Sequence, residues 1–134
     1  MNTSKGKRMV SESLIGKTKR LVKEPVLLWQ NENPSGEFDE DITVPDMSGF
    51  KYIVIEMSDY GSHGKFAKIP YALNSGFEHV ITEDSAYLRR RNLHIASSTK
   101  ISVSDCTTIV FEDGAYEVSN GYCIPMAVYG TNIL

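Results

Sequence analysis

No apolar run in the chain approaches the ~18 residues of a membrane-spanning helix, and no apolar segment follows the basic start as it would in a secretory leader. Those absences predict synthesis in a cytoplasm without a leader and without a membrane partner. Cysteine is scarce. Cys106 and Cys123 are the two present, in neither a C-x-x-C pair nor a zinc-ligand spacing, and cytoplasmic synthesis disfavours a disulfide. A catalytic thiol needs a base that lowers its pKa, and none of His63, His79 and His94 is a sequence neighbour of either cysteine. Both cysteines read as small apolar fillers. The separations between the three histidines match no metal motif. The acidic cluster Glu37, Asp39, Glu40 and Asp41 lacks the glycine and spacing of an EF-hand loop. It reads as a charged sheet edge. Nor is there a nucleophile–base–oxyanion pattern, a paired-carboxylate signature or a glycine loop for phosphate. The expectation is a protein without catalytic residues, metal or cofactor. An enzyme built on Cys123 or on carboxylates such as Asp39, or a carbohydrate-binding module, is the competing class.

What is present is one domain's worth of ordinary globular composition. At 134 residues it is long enough to hide roughly two-thirds of its unfolded surface without staples. The net charge of −3 conceals a split. Residues 1–23 carry seven basic side chains (Lys5, Lys7, Arg8, Lys17, Lys19, Arg20 and Lys23) against the single Glu12, and the remaining residues carry seven basic against sixteen acidic. A basic arm, residues 1–25, is thus joined to an acidic body, residues 26–134. Such an arm suits docking on an acidic protein surface or ordering on contact with a partner. A nucleic-acid partner is not the expectation.

Past Pro25 the pattern is that of strands. VLLWQ (26–30) precedes the turn-rich NENPSGE, and 41–44 precedes PDMSG. YIVIEM (52–57) alternates cleanly, with Ile53, Ile55 and Met57 on one face. DYGSHGK (59–65) reads as a loop. Further strands are expected at 65–69, 79–82, 90–96, 100–104, 108–112 and 122–129. Many short strands with frequent turns predict an all-β fold, an antiparallel β-sandwich that is jelly-roll-like, preceded by a short N-terminal arm. Trp29 and Tyr52 fall inside strand patterns and read as core.

Three groups remain as candidate surfaces. In the run Arg89-Arg90-Arg91 the outer two share a strand face, a fork for phosphate or carboxylate that would suit an anionic cell-wall glycan such as a teichoic acid. Edge protection is the plainer reading of the same run. Tyr60, Tyr87 and Tyr116 fall in or beside loops, where a ring can lie against a sugar or a partner. NGYCIPMAVYG (120–130) is apolar on both faces, and Pro125 places it at an edge or a bulge. An apolar edge needs a cover, so Tyr122, Pro125, Met126, Val128 and Tyr129 read as a subunit interface.

Three of these stretches, in order, resemble a known family. LLWQNENPSGEFDEDITVPDMSGFKYIVIEM, RRRNLHIASSTKISVSDC and NGYCIPMAVYG are similar to the opening, middle and end of the C-terminal β-domains of tail fibre and minor structural proteins of bacteriophages and prophages, chiefly those of Gram-positive hosts. The resemblance covers roughly residues 26–130 and implies a β-sandwich homotrimer displayed on a virion. It implies no catalytic residue. Met126-Ala127 departs from the Tyr-Lys that usually follows this proline. The implied partners are other virion proteins, reached through Lys5, Lys7, Arg8, Lys17, Lys19 and Arg20, and a host cell-wall glycan reached through Tyr60, Tyr87, Arg89, Arg91 and Tyr116. The implied roles are tail fibre or receptor binding, or alternatively capsid decoration or a head fibre.

Overall fold

Two-residue periodicity along the body becomes ten strands among the described residues. The structure, a computed structural model, describes residues 25–59, 62–83 and 86–133. The arm, with its six candidate docking residues, and Tyr60 lie outside that set. The strands are β1 Val26–Gln30, β2 Ile42–Thr43, β3 Tyr52–Asp59, β4 Ser62–Pro70, β5 Gly76–Glu83, β6 Tyr87–Ser97, β7 Lys100–Val103, β8 Thr107–Val110, β9 Tyr116–Val118 and β10 Ile124–Thr131. They form two antiparallel sheets, one of four strands ordered β1-β10-β3-β4 and one of six. In the second sheet β6 is the organising strand. β5 pairs along one of its edges, while β8 and β7 share the other, β8 against Tyr87–Arg90 and β7 against Leu93–Ser97. The antiparallel sandwich expected from the strand pattern is the architecture found.

The core lies between the sheets because each contributes an alternating apolar face. Ile53, Ile55 and Met57 of β3 and Val128 of β10 are fully buried, as are Ile95 of β6 and Ile101 of β7. Each such side chain stabilises the fold by roughly 1.5–3 kcal/mol relative to exposure. Phe38, Ile42, Val44 and Met47 from the segment linking β1 to β3 complete the same cluster. Asp41 closes the edge beside β2. Its Oδ1 accepts from the Val103 amide at 3.0 Å, and its Oδ2 lies 3.9 Å from Lys100 Nζ.

Several local expectations need correcting. The stretch 59–65 is not a loop: β3 and β4 run through it and pair as far as Asp59 and Ser62, a hairpin that the glycines disguised. β9 was not expected, because YEV is too short to show a period. The largest correction concerns β10. It lies between β1 and β3 rather than at an edge, and Pro125 is accommodated by a bulge, where the register against β3 slips between Pro125 and Ala127. Val128 is fully buried in this chain's own core and Pro125 is also buried. Neither is free to form a subunit contact, and the uncovered-edge premise for that interface falls away.

Close approach of paired strands gives a direct test. A Cβ on Gly76 would sit 2.1 Å from the Leu93 carbonyl oxygen, a backbone atom of β6, its paired neighbour in the same sheet, whereas a Cβ on Gly49 would meet nothing within 4 Å. Gly76→Ala is expected to lower unfolding free energy by about 1–3 kcal/mol in urea titration, and Gly49→Ala to leave it nearly unchanged.

Candidate functional site

The arginine run supplies the most unusual feature of the interior. Strand alternation does put Arg89 and Arg91 on one face and Arg90 on the other, but the shared face is the inner one. Arg91 is 1% exposed and Arg89 8%. A fork aimed at a host glycan is therefore excluded for both. β6 is flanked along both edges, so its inner face looks into the sandwich. The residue left outside is Arg90, 3.6 Å from Glu78 in an exposed ion pair.

Arg91 meets oxygens supplied by distant segments. Nη1 donates to the Phe38 carbonyl at 2.8 Å, and Nη2 lies at 3.3 Å from the Asn120 and Tyr122 carbonyls and 3.4 Å from Asn120 Oδ1. Nε has no hydrogen-bond partner among the described residues. Asn120 is itself fixed, accepting from the Cys106 amide at 2.8 Å and donating to Asp105 at 2.9 Å. Arg89 stacks 3.8 Å from the centroid of the Tyr122 ring and 5.3 Å from that of Tyr87, while Nε donates to Thr108 Oγ1 at 3.2 Å. Guanidinium over aromatic faces in a dry site is a favourable cation–π arrangement.

Both cysteines join this cluster. Cys106 and Cys123 are free thiols with no exposed surface, and Cys106 is within hydrogen-bonding reach of Cys123 and Arg91. Cys123 takes a left-handed backbone, φ 52°, which costs a non-glycine residue about 1–2 kcal/mol. That turn carries the chain from Tyr122 into β10. The hydrogen bond with Cys123 pulls the Cys106 thiol down, burial opposes it, and the Arg91 and then Arg89 charges add to the downward pull, leaving it at about 7. Burial also pulls the Arg91 pKa down, and Cys106 opposes that pull. With no solvent access, the cluster ties strands and loops together rather than meeting a substrate.

The other candidates scatter. Tyr87 starts β6, half-buried beside Arg89, so it is not a free loop ring. Tyr116 starts β9 and is 62% exposed. Tyr122 lies under Arg89 just before β10 rather than within it, Met126 packs on the core, and Tyr129 is half-buried. Among the described residues no group of three or more His, Cys, Asp or Glu is placed to hold a metal ion.

Sequence reasoning missed an open cleft of about 760 Å3 where β1 runs into NENPSG. It is lined by Trp29, Gln30, Asn31, Glu32, Asn33 and Glu40. Trp29, expected to be core, is only half-buried, and its ring meets Phe38 edge-on at 5.9 Å and 78°. The loop is pinned to β10: the Asn31 amide donates to the Met126 carbonyl and Asn31 Nδ2 to the Pro125 carbonyl, both at 2.9 Å. Asn31 Oδ1 in turn accepts from the Asn33 amide at 2.8 Å. A Cβ on Gly36 would lie 2.4 Å from Asn33 Nδ2, the end of an exposed side chain that can swing aside. The available signal was a single tryptophan at a strand end followed by an amide- and carboxylate-rich turn.

Comparison with protein families, curated proteins and solved structures finds no match to this chain.

Two outcomes follow from the arginine–thiol cluster. Arg91→Ala takes the guanidinium donors away from the Phe38 and Tyr122 carbonyls, at about 1–3 kcal/mol for each buried acceptor, while the Asn120 carbonyl keeps the Phe38 amide. A loss of at least about 2 kcal/mol is expected in urea titration, with Arg91→Lys recovering only part because an ammonium cannot span the same fork. Folding lowers the Cys106 pKa, so its thiolate contributes stability that is full above the unfolded value and is lost as pH falls through about 7. The stability difference between the native chain and Cys106→Ala should therefore grow as pH rises from about 7 toward the ordinary cysteine range. A difference flat with pH would show that Cys106 does not ionise on folding.

Proposed function

We propose that the chain is a non-enzymatic structural protein of a bacteriophage particle, displayed on its surface in a tail-fibre or receptor-binding role. In this reading residues 1–25 attach it to other virion proteins and the body assembles as a homotrimer. The observation that carries the reading is where the family-like stretches go. β1 and β3 from the first stretch flank β10 from the last, while the middle stretch forms β6 and β7 of the other sheet. At Arg91 all three meet: Phe38 from the first, Arg91 and Cys106 from the middle, Asn120, Tyr122 and Cys123 from the last. Residues that carry the resemblance are thus spent on holding a fold, as suits a structural family. The same burial weighs against a hydrolase built on Cys123, which would need a reachable thiol. Apolar side chains left exposed, among them Tyr116, Val118, Phe111 and Phe66, support association with further copies or neighbours.

The test is a labelled copy of the chain followed into purified particles and located by electron microscopy. Density on the tail is expected, and removal of residues 1–25 should abolish incorporation while the body still folds. Density on the head would replace the tail-fibre role by capsid decoration or a head fibre. Absence from particles would sink the reading altogether. Light scattering on the free protein should give a trimer mass, and a monomer mass would remove the trimer from it.

A further inference from the structure

The polarity of the surface is the reverse of what the arginine run suggests. The cationic fork is inside, and the open cleft beside Trp29 is lined by Glu32 and Glu40 with no basic side chain. Its other polar groups are planar amides from Gln30, Asn31 and Asn33. An aromatic ring beside amides and carboxylates is what a saccharide needs. The apolar C–H face of a sugar ring lies on the indole, and its hydroxyls exchange hydrogen bonds with groups that both donate and accept. The volume, about 760 Å3, falls within the range of pockets that hold small ligands.

Preorganisation adds to the case. A six-residue polar turn would ordinarily lose much conformational freedom on capturing a ligand. Here the Asn31 amide and side chain are already fastened to β10, the Asn33 amide donates to Asn31 Oδ1, the Gly36 amide to the Asn33 carbonyl, and the Asn33 side chain lies against Gly36. The Glu32 and Glu40 side chains are exposed at the rim and enter no ion pair among the described residues, so both remain available to a ligand.

We propose that the Trp29 cleft is a binding site for a short, uncharged or amine-bearing saccharide, and that it rejects anionic glycans. Neutral sugars engage the ring and the amides, and an amino sugar additionally meets Glu32 and Glu40. A phosphate-bearing or carboxylate-bearing polymer would bring like charge against the two glutamates. One such site binds weakly, and display of several copies on one particle would raise the effective affinity. The inference deepens the virion reading, which supplies the reason for several copies, but the cleft stands or falls separately.

Trp29 is the single tryptophan of the chain, so intrinsic fluorescence of the full-length protein reports on this cleft. Titration with oligomers of N-acetylglucosamine and with their deacetylated, amine-bearing counterparts should give saturable changes, the amine-bearing series binding more tightly at low salt. A glycerol-phosphate polymer should give none. By calorimetry, Trp29→Phe, which keeps a ring against Phe38, should weaken binding about tenfold. The surface pair Glu32→Gln/Glu40→Gln should retain neutral oligomers and lose the preference for the amine-bearing series. The proposal fails if neither series gives a saturable change, if the phosphate polymer gives the tightest saturable change in Trp29 fluorescence, or if Trp29→Phe and Asn33→Ala both bind like the native chain. Saccharide binding by a protein absent from particles would sink the virion reading alone, and a particle-borne protein that binds no saccharide would sink the cleft alone.

Discussion

A guanidinium can be removed from water only if the fold surrounds it with oxygens, and among the described residues Arg91 makes no direct ion pair, the Asp105 carboxylate acting on it from beyond Asn120. Its partners are backbone carbonyls of Phe38, Asn120 and Tyr122, residues 53, 29 and 31 positions away in sequence. None of those carbonyls reaches Arg91 until the segments around it are in place, so the charge acts as a check on the whole arrangement. A near-native packing that left the guanidinium short of acceptors would carry a large desolvation cost. Cys106 and the stacked Arg89 belong to the same constraint. The thiols that invite a catalytic reading are better understood as members of this polar knot within an otherwise apolar core.

The sandwich was legible in the sequence because β-strands announce themselves by alternation, and YIVIEM and KISV alternate without interruption. The inner and outer faces of Arg89-Arg90-Arg91 were legible too, but which face looks inward was not. Charge argued for water, and only the partners of β6, far away in sequence, make the interior habitable. Pro125 was correctly read as an edge or a bulge, and sequence could not choose between them because the choice depends on β1 arriving beside β10. Trp29 shows a third kind of limit. An indole at a strand end reads as core by composition, and its half-open position depends on how the following turn is tethered.

Interior and exterior have exchanged the roles that composition alone assigns them. The inward arginines of β6 are structural, while a polar turn and a half-exposed indole line an open recess. A body whose surface is acidic, with basic groups partly withdrawn inward, presents a field that discourages polyanions and leaves short-range hydrogen bonding and stacking to choose partners.

The pairing of β1 with β10 sets Val26 opposite Gly130, so strands from the two ends of the described chain are neighbours in one sheet. On the ribosome, β1 and β3 must wait for the strand that belongs between them until nearly the whole body has been made. β3 and β4 can close as a hairpin early, whereas the four-stranded sheet is completed last, by insertion of a strand into a gap. Such ordering raises the loop-closure cost of the final step and slows it. It also leaves two apolar strand edges open during synthesis, a period in which a chaperone or an early neighbour in assembly has the most to offer.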